Sequence, residues 1–331
     1  MRIIARIVCL VILEGCAGDL SSVPAQPLVT SDRQASGVRV NASSQRIYAV
    51  NNSGNSLTAY HANANGNVAP DVTIAGSNTQ LSTPINIATG FQHRLLVTNL
   101  GTNAVTEYAG GANGNAAPLA VITCGGLNFP DGIAVGSSAP LGPVHIYVAN
   151  LKGNSISIFP RGAHGCMRGR EINGSNTQLS RPAALLISSG VLYVGNLNSH
   201  SITEYPASAS GNVAPTTVIS GGNTMLVNPV GLALDSSQNL YVADDSAQAI
   251  FVFAAGASGN ASPIRVIAGS NTGLSSPSGI VVASGGPIMV TNPAANSITS
   301  YPETANGNVA PKTTLQGSAT GLNFPIGLTL H

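Results

Sequence analysis

One unit of about 48 residues is written six times along this chain, and nothing else in the sequence restricts its fold as strongly. An aromatic anchor falls at Tyr60, Tyr108, Phe159, Tyr205, Phe253 and Tyr301, at spacings of 48, 51, 46, 48 and 48. An Asn/Asp anchor at Asn51, Asn99, Asn150, Asn196, Asp244 and Asn292 repeats the same spacings. A third marker, Gly-Asn-x-Ala/Ser-Pro, begins at Gly66, Gly114, Gly211, Gly259 and Gly307, and in the third unit Gly165-Cys166-Met167-Arg168 stands in its place. Each unit holds four apolar runs of strand length between turn residues. In the fifth they are Gly231 to Asp235, Leu240 to Asp244, Ala249 to Phe253 and Ile264 to Ala268, here termed strands a to d. No segment carries a helical period. Four short strands in a repeat that is unable to bury its own faces predict a six-bladed β-propeller of four-stranded antiparallel blades. After the sixth unit, Pro325 to Leu330 repeats strand a alone. It is expected to close the ring beside the first blade, replacing or supplementing the weak run Gly37 to Val40; a seven-bladed ring is the alternative pairing of the termini.

Composition narrows the partners. Among 331 residues there are 13 Lys/Arg and 12 Asp/Glu, a net charge of +1. That gives no cationic patch for a phosphate backbone, so nucleic acid is excluded. With 43% apolar residues the chain has enough to fill a core. At the start, Arg2 and Arg6 precede the apolar run Ile7 to Leu13, which is shorter than the roughly 20 residues needed to span a bilayer. Leu13-Glu14-Gly15-Cys16 follows and resembles a bacterial lipobox, in which the cysteine receives the lipid. The expected organisation is a signal over residues 1–16 with lipidation at Cys16, a polar tether over 17–35 and a single propeller over 36–331. The expected location is the cell envelope, with membrane contact only through the lipid, or secretion if Cys16 is unmodified. The propeller itself is expected to be a monomer.

The sequence Pro-x-Gly-Ile/Leu, then Leu240-Tyr-Val-Ala-Asp244, then Ser201-Ile-Thr-Glu-Tyr205 resembles NHL-repeat propellers, and Leu96-Val-Thr-Asn99 and Met289-Val-Thr-Asn292 resemble the related YVTN-type repeat. The similarity runs from Gly37 to His331. It implies the propeller fold; for function it implies only a range that includes lyases, lactonases, sensors and binding modules.

Candidate chemistry is sparse. The six Asn/Asp anchors and the Gly-Asn motif read as turn chemistry. Asp131, in Phe129-Pro-Asp-Gly132, is similar to the aspartate that helps hold a divalent metal in gluconolactonase-type propellers. The same position in the other units holds Ile85, Ala183, Val230, Ser278 and Ile326, and only Asn86 lies close enough in sequence to assist. Two oxygen ligands fall short of the six or more a hard cation takes. No cofactor is therefore expected, with a divalent cation such as calcium at Asp131 and Asn86 as the alternative. The histidines occupy non-equivalent points of the repeat, unlike a zinc site. Cys124 and Cys166 are an exported pair and so candidates for a disulfide, although four-stranded topology puts the end of strand d and the c–d loop on opposite faces. Arg161, Arg168, Arg170 and Arg181 belong to the third unit or its boundary. Together with Asp244 and Asp245 they are the candidate binding surface. The reading is a non-enzymatic propeller that binds a protein, glycan or small molecule; the alternative is a metal-dependent lactonase or lyase at the channel mouth.

Overall fold

The computed structural model describes residues 45–331 apart from 124, 125, 140, 141 and 168. Within them are six four-stranded antiparallel sheets arranged about a common axis, a six-bladed β-propeller. Blade 5 follows the sequence reading closely, with strands Pro229–Leu234, Leu240–Asp244, Ala249–Phe253 and Arg265–Ala268 in spatial order. Strand b is buried along its whole length in blades 2, 5 and 6. This is why those runs are apolar throughout instead of alternating, since both faces of a blade pack on neighbours.

Blade 1 is built from both ends of the propeller. Its innermost strand is Pro325–Leu330, which pairs antiparallel with Arg46–Asn51 through Ile47↔Leu330, Tyr48↔Thr329 and Ala49↔Leu328. Strands Ser56–His61 and Val72–Ala75 complete the sheet. The closing role expected of the C-terminal strand is thus met, at the inner position; Gly37 to Val40, Cys16 and the leader lie outside the described residues.

Each aromatic anchor is the last or next-to-last residue of a strand c and is buried. The hydroxyls of Tyr60, Tyr108, Tyr205 and Tyr301 donate to the main-chain carbonyls of Thr320, Thr79, Thr177 and Thr272 in the turn that leads into strand a. Burial pushes these four phenols up to about 12, so they stay protonated donors throughout the physiological range. The upper face of the ring carries the d–a and b–c connections. The lower face carries the a–b connections and the start of each c–d loop.

Candidate functional site

The inner strands begin at Pro84, Pro130, Pro182, Pro229 and Pro325 in five blades, and in all five the register with strand b shifts just after the proline. Around the axis they enclose a cavity of about 330 Å³. Its wall is aliphatic on every blade, with Ile87, Val135, Leu185, Leu232, Ile280 and Leu328 among the contributors, and its polar side chains are Asn86, Thr89 and Thr329. Asn86 turns its Oδ1 back to the Ile87 N–H, and Thr89 donates to the Leu330 carbonyl.

Asp131 sits at the start of the inner strand of blade 3, outside that wall. Thr98 Oγ1 of blade 2 grips its main-chain carbonyl at 2.6 Å. Thr98 also takes the Asn86 N–H at 3.0 Å, so one hydroxyl ties two inner strands together. Thr291 does the same between blades 6 and 1, through Gly279 N–H and the Ile326 carbonyl. These two threonines belong to the Leu96-Val-Thr-Asn99 and Met289-Val-Thr-Asn292 runs. The Asp131 carboxyl is half-buried and meets no hydrogen-bond donor among the described residues; desolvation pushes it up to about 7, opposed by the charge of Arg181. Asp131 and Asn86 are therefore held near one another by backbone bonds while their side chains serve different surroundings. Among the described residues no three His, Cys, Asp or Glu side chains gather as a metal-binding group.

The other predicted residues separate. Asp244 is fully buried: its two carboxylate oxygens accept the N–H groups of Val227, Asn228 and Ala247, so it offers no surface to a ligand and leaves the candidate binding surface. Asp245 is half-buried and accepts from Ser246 Oγ. The arginines do not form one cluster. Arg161 and Arg170 lie on the lower face, Arg170 donating to the Ser208 carbonyl of blade 4. Arg181 precedes the inner strand of blade 4 on the upper face, because strand d crosses the blade before it; Arg168 lies outside the described residues. His93 and His331 do pack together, ring centroids 4.9 Å apart, because the C-terminal strand brings the last residue beside blade 2. No repeat position signals that meeting.

Cys166 is disulfide-bonded. The c–d loop does not stay on the lower face as four-stranded topology alone suggests. It climbs the outside of the preceding blade, and Gly165 forms a parallel bridge with Ile122 at the far end of that blade's strand d. Cys124 itself lies outside the described residues.

No family model matches the chain, and no curated protein matches it in sequence. Solved structures do match in fold. A virginiamycin B lyase from Staphylococcus aureus superposes with a TM-score of 0.55 at 15% identity, over 86% of this chain and 90% of that one. A protein of unknown function from Bacteroides caccae gives 0.59 at 8% identity, over 86% and 98%. A chain of the nidogen/laminin complex gives 0.50 at 12% identity, over 86% and 98%. Identities this low show the shared propeller architecture and nothing finer.

Proposed function

We propose that the chain is an exported propeller that binds a partner or ligand and carries out no chemistry of its own, held to the envelope by lipid at Cys16. The observation that carries this reading is the aliphatic channel wall: at the axis, where a propeller gathers one strand from every blade, this sequence places Ile, Leu, Val and Ala. An apolar concavity with a few polar groups at its edge suits binding better than acid–base or metal chemistry. The neighbours include both a lyase and a chain from the nidogen/laminin complex, so fold likeness favours neither side.

The second reading, a cation-dependent lactonase or lyase, rests on Asp131, whose carboxyl has no donor and is pushed up to about 7. Equilibrium dialysis of the purified propeller with calcium and zinc, run beside a screen of lactones and esters, separates the two. The scaffold reading expects neither stoichiometric uptake nor turnover. Stoichiometric uptake with turnover that Asp131→Ala abolishes would overturn it. Lipid anchoring is checked separately: in a bacterial host labelled with palmitate, the full chain should carry label that Cys16→Ser removes.

A further inference from the structure

We infer that the lower-face groove between blades 2 and 3 is a binding site for a small monocarboxylate with an apolar body. The site adjoins the channel through Val135, which lines both, but its charged rim is its own, and its failure would leave the scaffold reading standing. The groove encloses about 260 Å³. Its floor is aliphatic, made by Leu96 of blade 2 and Val135, Val144 and Ile146 of blade 3. Val144 comes from the extended end of blade 3, where Ser137 pairs with Val144 and the strands run over Pro130–Ser137 and Val144–Asn150, whereas Val135 holds a strand position that every blade has.

The charged rim is equally specific. Glu107 is 8% exposed and accepts from Arg94 Nη1 at 2.8 Å, so that pair is internally neutral and fixed. Arg161 lies with its guanidinium 3.5 Å from the centroid of the Phe91 ring, and no carboxylate among the described residues pairs with it. A guanidinium centred over an aromatic ring uses that contact without spending its N–H groups, which remain for a planar bidentate acceptor. Among the described residues lining the groove, one cation beside a neutralised pair matches one negative charge and leaves a dianion such as phosphate without a second counter-charge. The aliphatic floor selects an apolar body behind the carboxylate.

No other junction of the ring has this combination. The Arg161 position in the other units holds Ala62, Gly110, Ala207, Ala255 and Glu303, and the Arg94 position holds Arg46, His145, Val191, Asn239 and Pro287. In a repeat protein, side chains dictated by the blade recur; these do not.

The probe is phenylacetate, with phenylacetamide as its neutral isostere, titrated into the propeller by calorimetry and by methyl NMR of Leu96, Val144 and Ile146, which line the groove and not the channel. Saturable binding of phenylacetate is expected, with those methyls shifting and the amide failing to bind. Arg161→Gln should weaken affinity about tenfold or more while unfolding at the wild-type temperature, and Arg161→Lys should fall between them. Equal affinity for the amide, unchanged affinity in Arg161→Gln, or no saturable methyl shift at about 10 mM probe in the unmutated chain would each overturn the assignment.

Discussion

At the scale of the residue, the Asn/Asp anchor shows how a repeat keeps its buried polar groups satisfied. In five units the asparagine Nδ2 donates to a hydroxyl seven residues on, at Thr58, Thr106, Ser157, Thr203 or Thr299, while Oδ1 accepts an N–H from the d–a turn. In the fifth unit the hydroxyl is replaced by Phe251, and the asparagine is replaced by Asp244, which has only acceptors and finds three N–H groups. The two exceptions explain each other: an amide facing Phe251 would bury an unmet donor. Asp244→Asn should therefore cost about 1–3 kcal/mol in urea unfolding despite matching the other five units. In a double-mutant cycle, Phe251→Thr should couple favourably with it by about 1 kcal/mol, and additivity would refute the pairing. Asp131 gives a pH test. Its carboxyl is held near 7 in the fold, above the usual 3.8, so between those values the folded state keeps a proton that the unfolded chain has released. Stability must then fall as pH rises from about 4 to 7 and level off above. Asp131→Asn should flatten that limb and be the more stable form at pH 8, by on the order of 1–2 kcal/mol after allowance for the partial exposure of the carboxyl. A variant with the same slope as the parent between pH 4 and 7 would show that another group sets it.

At the scale of the element, the Gly-Asn motif proves to be a latch between blades. Each c–d loop adds a parallel bridge to the outer strand of the preceding blade, as in Gly211↔Ile172 and Gly259↔Ile219. The following asparagine accepts an N–H from the turn beyond that strand, Asn212 from Asn176 and Asn260 from Asn223. The glycine that ends the outer strand makes room for it: at Gly174, with φ near +113°, a Cβ would stand 2.5 Å from Asn212 Oδ1. Gly174→Ala should accordingly destabilise by about 1–3 kcal/mol through strain and clash together, whereas Gly211→Ala, with open space around it, should cost only about 1 kcal/mol for its positive φ. Thermal unfolding of the two variants checks the order. Sequence alone showed the motif and its period but read it as hairpin punctuation, because nothing in one unit says that its partner belongs to another. In the register of the repeat, Cys124 takes the place of the glycine and Cys166 that of the asparagine, so a covalent bond would stand where the other junctions use a hydrogen bond. Non-reducing peptide mapping should recover these two cysteines linked; recovery of Cys166 bonded elsewhere would refute it. The groove at Phe91 and Arg161 was equally hidden, since its residues are deviations from the repeat drawn from two blades.

At the scale of the whole molecule, the blade count and the closing strand were legible because repetition carries them, and the aliphatic channel was implied only loosely by the apolar inner runs. What the repeat does not reveal is how much of the ring's integrity rests on one junction. Blade 6 meets blade 1 through the same latch as elsewhere, Gly66↔Leu315, with Asn65 and Asn67 accepting from Thr314 and Ala319. It also meets it through the C-terminal strand, which ends with His331 and Arg46 exchanging both main-chain hydrogen bonds at 2.8 and 3.0 Å. That strand belongs by sequence to the end of the chain and by pairing to its beginning. Removing residues 325–331 would leave the Arg46–Asn51 strand as an exposed inner edge and would uncover Leu328 together with the neighbours it buries. The expected loss is on the order of 5 kcal/mol from apolar exposure and lost pairing. Urea unfolding should lose its single sharp transition, and gel filtration should show self-association through the new edge. Adding a peptide of residues 325–331 in trans should restore the monomer and part of the midpoint, since the docking site for it is intact. A truncated chain that stays monomeric and unfolds at the parent concentration would mean that the latches alone hold the ring.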